Sequence, residues 1–153
     1  MVQNLLFVLD GQSFALSAAS VQRVARIVEI TPLPKAPEAV LGVVNIGGKI
    51  IPVADLRKRF GLPARELELS DQLIVVRAST RTVAMVADQV TGMVESSQAE
   101  IMGAEEILPG LDYIDGVIKM ADGITFIYNL DKFFSLEEEE TLDNALGQIG
   151  KEA

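Results

Sequence analysis

A chain of 153 residues, 49% of them hydrophobic, is long enough for one domain with a real core and short for two independent ones. Its net charge of −9 repels phosphate backbones and argues against general nucleic-acid binding. Neither cysteine nor histidine occurs, which excludes disulfides, iron–sulfur clusters, thiolate zinc sites, Ser-His-Asp triads and imidazole acid–base chemistry.

The opening MVQNLLFVLDG has no basic segment before a long apolar run, so it does not read as a signal peptide, and no apolar stretch is long enough to span a bilayer. Asn4–Leu9 and Phe14–Leu16 flank Asp10-Gly11-Gln12-Ser13 and predict a hairpin. Val21–Ile30 is rich in β-branched residues. Thr31-Pro32-Leu33-Pro34-Lys35-Ala36-Pro37 is an extended connector, because its prolines fix φ and withhold amide donors. Leu41–Ile46 and Lys49–Val53 predict a second hairpin around Gly47-Gly48. Leu56–Phe60 predicts one helical turn, stopped by Gly61 and Pro63. Leu73–Ala78 and Thr82–Val86 form a third hairpin, and Val90–Val94 a short strand. Ala99–Asp112 reads as irregular, with a turn at Pro109-Gly110. Val117–Met120 and Ile124–Tyr128 form a fourth hairpin around Ala121-Asp122-Gly123. Ser135-Leu136-Glu137-Glu138 matches a capping box, and the acids Glu137–Glu140 suit a helix start. Leu142, Leu146 and Ile149 give the final helix an apolar stripe, with fraying expected after Gly147.

The chain repeats itself. Gly42–Phe60 aligns without a gap to Gly116–Phe134 at a constant offset of 74 residues. A weaker echo relates Phe14-Ala15-Leu16 and Val21 to Val83-Ala84-Met85 and Val90 at an offset of 69. Each half reads as hairpin, strand, hairpin, short helix, a mostly β arrangement of two similar five-stranded barrels related by a pseudo-two-fold axis. The first barrel is expected at about 15–70 and the second at about 71–134, with the N-terminal strand and C-terminal helix completing one domain over 1–153. Val43, Ile50, Val53 and Leu56 are expected in the core, with Val117, Ile124, Ile127 and Leu130 as their counterparts.

Residues that could carry chemistry have plainer readings. There is no G-x-G-x-x-G and no glycine loop ending in G-K-[ST]. Asp55 and Asn129 occupy equivalent positions before helical turns and read as N-caps rather than as an acid–base pair. Asp112 and Asp115 lack calcium-loop spacing and read as turn formers. The serines have no histidine base and no S-x-x-K motif. Arg57, Lys58 and Arg59 read as a solvated helix face. Met85 and Met120 read as core, and Met93 stays open between core and binding groove. No cofactor is called for.

Pro32-Leu33-Pro34-Lys35-Ala36-Pro37, followed by Val40-Leu41-Gly42-Val43-Val44-Asn45-Ile46-Gly47-Gly48-Lys49-Ile50-Ile51-Pro52-Val53-Ala54-Asp55-Leu56-Arg57, resembles the signature of the CheW-like family. Phe7-Val8-Leu9 with Phe14-Ala15-Leu16 and Val21 resembles its first hairpin, and Leu73–Met93 with Asp115–Phe134 its second half. The resemblance implies two SH3-like barrels around a shared core and no enzymatic activity. It implies a cytoplasmic adaptor, recruited to receptor clusters at the inner membrane without inserting into it. The adaptor would couple the tip of a chemoreceptor-like protein to a CheA-type histidine kinase. A receptor helix would lie in an apolar groove at Val21, Val24, Leu73 and Met93, and kinase contacts would fall near Gly42. Two positions depart from the family pattern. Gly47, in Asn45-Ile46-Gly47-Gly48, replaces an arginine, and Arg23 stands in Val21-Gln22-Arg23-Val24, where the pattern runs Val-x-Glu-[Val/Ile]; both are expected at the receptor-facing surface, and Arg23 is expected to meet an acidic partner residue. Other readings are a kinase's regulatory module, a paralogue that scaffolds a different complex, and a carboxylate hydrolase.

Overall fold

The computed structural model describes residues 2–96, 101–103, 113–121 and 123–152. The strands are β1 (Val2–Leu9), β2 (Gln12–Ser17), β3 (Val21–Arg26), β4 (Val40–Ile46), β5 (Lys49–Ala54), β6 (Gln72–Arg77), β7 (Thr82–Ala87), β8 (Gln89–Ser96), β9 (Ile101–Gly103), β10 (Ile114–Met120) and β11 (Gly123–Tyr128). The helices are α1 (Leu56–Arg59) and α2 (Leu136–Glu152), with 3-10 turns at Ala18–Ser20 and Leu130–Lys132. The stretch expected to be irregular contains the short β9; the turn at Pro109-Gly110, Asp112 and Asp122 lie outside the described residues.

Two sheets form, one ordered β8-β1-β2-β11-β10-β9 and the other β3-β6-β7-β5-β4. The division at about residue 70 does not follow sheet membership. β6 and β7 of the second half sit among β3, β4 and β5, while β1 and β2 sit with β8, β10 and β11. Each sheet therefore takes its central hairpin from the other half of the sequence. The repeat survives this exchange position by position. In one sheet β5 runs parallel to β7 with Val53 opposite Ala84, and in the other β11 runs parallel to β2 with the equivalent Ile127 opposite Ala15. Even the bulges correspond: the register of the β4–β5 pair shifts between Val40 and Gly42, and that of β10–β11 between Ile114 and Gly116.

Strand alternation divides the core in two. Leu5, Phe7, Leu9, Phe14 and Leu16 of β1 and β2 pack with Ile74, Val76, Val83 and Met85 of β6 and β7, so the two central hairpins share one core. On the other face of the second sheet, Val44, Ile51, Val53, Leu73, Val75 and Ala84 form its own interior. Val43, Val53, Leu56 and Val117 are buried as expected, and Ile127 and Leu130 are half-buried. Ile50 and Ile124 are not core: they are 48% and 43% exposed. Along each strand the inward position falls on the next residue, Ile51 or Thr125, so the isoleucine before it points out. Met85 is buried and Met120 half-buried.

Asp55 and Asn129 cap their turns, accepting from the Lys58 amide at 3.1 Å and the Asp131 amide at 3.0 Å. The capping box forms as read: Ser135 Oγ accepts from the Glu138 amide at 3.1 Å, and Glu138 Oε1 accepts from the Ser135 amide at 3.0 Å. The helix runs from Leu136 to Glu152. Leu142, Ala145 and Leu146 seat it on Leu33, Val40 and Val43; the side chain of Ile149 lies outside the described residues. Arg59 to Glu138 at 2.6 Å, Arg81 to Glu139 at 2.8 Å and Arg81 to Asp143 hold its N-terminal half.

The backbone demands glycine at two places. Gly47 and Gly48 turn the β4–β5 hairpin with φ of 60° and 86°, and Asn45 Oδ1 accepts from the Gly48 amide at 3.0 Å. Gly42 has φ of 155°, and a Cβ there would lie 2.3 Å from the Thr31 carbonyl oxygen, which accepts from the Val43 amide. Gly42→Ala is expected to cost about 2–3 kcal/mol through this overlap, and Gly47→Ala about 1 kcal/mol through its φ alone. Urea midpoints of the two variants order these costs; equal midpoints would show that the Thr31–Val43 bridge yields.

Candidate partner-binding surfaces

β3 and β8 are equivalent edge strands of the two sheets. Val21 and Val90 are half-buried against the shared core. Val24 stands opposite Ile74 and Met93 opposite Leu5, both residues of that core, so each side chain continues the core face outward. They are 38% and 52% exposed. The methionine left open by the sequence is thus a surface residue.

Leu73 does not join them. It is fully buried, stands opposite Ala25, and belongs to the interior of its own sheet, because its neighbour Ile74 takes the groove-side face. Arg23 is also displaced. The register shifts between Val21 and Arg23, leaving Gln22 unpaired, so Arg23 lies opposite Val75 on the face away from Val24. Arg26, opposite Gln72, is the basic residue that shares the face of Val24, and the equivalent position on β8 is Glu95, which accepts from Gln3 at 3.2 Å. Arg23 is exposed, and no ion pair involves it among the described residues. The register runs from Arg23 through Val75 and Ala84 to Val53 and Gly42, while Gly47 turns the far end of β4–β5. The two departures from the family pattern are not neighbours through the sheet.

Gly42 is buried, but Leu41 beside it is exposed. Leu41, Leu62, Leu67 and Val86 line a cleft of about 360 Å³ with Arg57, Lys58, Arg65 and Asp71. Arg57 gives Asp88 two hydrogen bonds, at 2.8 and 2.7 Å, and Arg65 bridges Asp88 at 2.6 Å and the buried Asp71 at 2.7 Å. Arg57 also donates to the Pro63 carbonyl at 3.0 Å. This network pins the loop from Gly61 to Ser70, which presents Leu67 and a 95% exposed Leu69. The basic run is therefore not one solvated face: Arg57 and Arg59 are largely covered and ion-paired, and Lys58 is the most exposed of the three.

Burial alone would raise the Asp88 carboxyl, but hydrogen bonds from Arg57, the Asp10 amide and Arg65 hold it below its ordinary value. Burial likewise opposes ionisation of Glu138, and the Ser135 amide with Arg59 prevails and lowers it. Arg65 is raised by its hydrogen bonds to Asp71 and Asp88. Asp71 and Asp88 do converge, but on arginine, which keeps Asp88 ionised and unfit as a general acid. Among the described residues no group of acidic side chains could hold a metal ion, and no helix is long and apolar enough to cross a membrane.

The model of the CheW-like domain matches residues 3–138. The chain belongs to the CheW-like family. Its relatives include the chemotaxis protein CheW of Treponema pallidum, 24% identical over 148 residues and covering 93% of this chain and 87% of that one. The protein of the same name in Rhizobium meliloti is 28% identical and covers 88% of each. The crystal structure of the scaffolding protein TtCheW from Thermoanaerobacter tengcongensis matches with a TM-score of 0.81, 27% identity and 90% of each chain covered. CheW-like proteins are non-catalytic scaffolds, so this chain is not an enzyme.

The sequence reading missed the arginines that matter. Arg57, Arg65 and Arg81 reach carboxylates distant in sequence, and only the excess of acids in Glu137–Glu140 hinted at a basic seat for α2. Two outcomes test the site. Val24→Glu and Met93→Glu are expected to change stability by less than about 0.5 kcal/mol, as exposed positions do, whereas Leu73→Ala should cost about 2–5 kcal/mol; thermal and urea melts compare them. Asp88 and Glu138 titrate lower folded than unfolded, so their contribution is present above their ordinary values of 3.8 and 4.5 and is lost as pH falls through the lowered folded values. The stability gap between the wild type and Asp88→Asn is expected to narrow below about pH 4. A gap independent of pH would show that the ionised carboxylate is not what Arg57 and Arg65 hold.

Proposed function

We propose that this scaffold couples a chemoreceptor-like tip to a CheA-type histidine kinase in a chemotaxis or related pathway. The family match over nearly the whole chain carries the reading; the surfaces support it. On the groove side, Val24 and Met93 offer apolar contact continuous with the shared core, suited to the apolar stripe of a receptor helix. Arg26 and Glu95, equivalent in the repeat and opposite in charge, give the two rims different signs, and a helix with an acidic and a basic end would bind in one direction. On the other side, the kinase would meet the barrel end beside Gly42, where Leu41, Leu67 and Leu69 are exposed. A scaffold with two separated surfaces can hold both partners at once and transmit a bias between them. Its place of work would be the cytoplasmic face of receptor clusters.

Sedimentation with a purified receptor cytoplasmic fragment and a CheA-type kinase tests this. A ternary complex is expected. Val24→Glu and Met93→Glu should weaken receptor binding at least tenfold and spare the kinase, Leu41→Glu should do the reverse, and Arg23→Glu, on the opposite face of β3, should leave groove binding nearly unchanged. Absence of binding to either partner would refute the coupling role. Loss of receptor binding in Arg23→Glu alone would return Arg23 to the receptor site.

A further inference from the structure

The repeat predicts what each half should carry, and among the described residues one half lacks a piece. On the second sheet, α2 covers β4: Leu142 and Ala145 pack on Val40 and Val43, Phe134 joins them, and Arg81 from the β6–β7 turn grips Glu139 and Asp143. Moving these positions by the repeat offsets lands on the first sheet. Val40 becomes Ile114, Phe134 becomes Phe60 and Arg81 becomes Gln12. These three residues all border one open cleft of about 270 Å³, completed by Phe14, Leu62, Tyr113 and Phe126. It is almost wholly apolar. Phe14 and Phe60 stack at 4.6 Å, and Phe60 and Tyr113 at 5.3 Å, so its walls are preformed.

The chain itself explains why no helix follows there. After Phe134, Ser135 caps α2. After the equivalent Phe60, Gly61 takes φ of 71° and Pro63 bars a helix, and the Arg57–Pro63 bond draws the loop toward Asp88. We infer that the aromatic cleft is a second helix seat, taken by an amphipathic helix from a partner protein in the position that α2 occupies on the other half. The charge pattern specifies its chemistry. The arginines that hold the acidic turn of α2, Arg59 and Arg81, correspond here to Phe133 and Gln12, so neither of these two positions supplies a cation to an acidic helix start. Its occupant is a helix with an aliphatic or aromatic stripe and an uncharged first turn. The α2 helix of a second copy does not fit.

The test uses the full chain and two synthetic peptides, one a neutral helix with a leucine stripe and one spanning residues 135–152. Backbone amide shifts map where each binds, and fluorescence anisotropy gives affinity. The neutral peptide is expected to saturate and to shift residues 12–14, 60–62, 113–114 and 126. Leu62→Glu and Tyr113→Lys, both at half-buried positions, should each weaken it at least tenfold while the amide spectrum of residues far from the cleft stays that of the folded wild type. Shifts confined to Val24 and Met93, or affinity untouched by both substitutions, would overturn the inference. Equal or tighter binding of the 135–152 peptide would also overturn it, in favour of self-association. Kinase and receptor are absent from the assay, so its failure and the failure of the coupling role are separately visible.

Discussion

Two parallel pairings, β5 with β7 and β2 with β11, tie the halves of this chain together. Parallel neighbours cannot be joined by a tight turn, so they need a long excursion between them. Here that excursion is supplied by exchange: each sheet borrows its central hairpin from the other half. The borrowed hairpins then pack against each other, and Phe7, Phe14, Ile74 and Met85 become one core instead of two. Residues 1–70 alone would leave β1 and β2 without the sheet they complete and β5 without β7. The exchange makes folding depend on contacts distant in sequence, which slows it, but it also fixes the angle between the two sheets. That fixed angle defines any groove at their junction. A groove bordered by one edge strand from each sheet keeps its shape only if this angle is held.

Once the backbone repeat was fixed, the two copies of each position were free to diverge. Leu73 fills the interior of one sheet, while its counterpart Asn4 is a buried amide. Ile51 corresponds to Thr125, whose hydroxyl donates to Ser13 at 3.0 Å. Arg81 corresponds to Gln12, and Arg26 to Glu95. One sheet is therefore oily inside and arginine-rich at its rim, and the other is more polar inside and lacks those arginines. The acidic residues of α2 match the first of these rims. These ion pairs act together with the chain connection at Ser135, where the capping box starts the helix beside that half.

The order of the elements was legible because hairpin turns, caps and the repeat all leave local marks. Gly47-Gly48, Asp55, Asn129 and Ser135 act over a few residues, and their chemistry is written beside them. The exchange of hairpins left no such mark: nothing near β6 says whether it completes its own half or the other. A bulge can reverse which face a residue takes. Gln22 takes one unpaired place in β3, and that single residue moves Arg23 to the opposite face from Val24. Leu73 failed for a related reason: an isolated run of Leu, Ile, Val and Val has no polar residue to show which face is inside. Long-range ion pairs, such as Arg57 with Asp88, were invisible because their partners lie in different elements.

Gly42 shows how a family position can carry two meanings. The resemblance points to it as kinase-facing, yet its own surface is buried and its missing side chain is required by the Thr31 carbonyl. That carbonyl belongs to the proline connector, and its bond to the Val43 amide lays the connector along β4, with Leu33 covering Val40 and Val43. The same three residues form the seat of α2. A side chain at position 42 would push the connector away and disturb the helix seat as well as the exposed Leu41. Loss of a partner after such a substitution would then follow from displacement of the surface around Gly42, with no direct contact to the glycine needed. Leu41, which can be changed without touching Thr31, is the residue that separates contact from support.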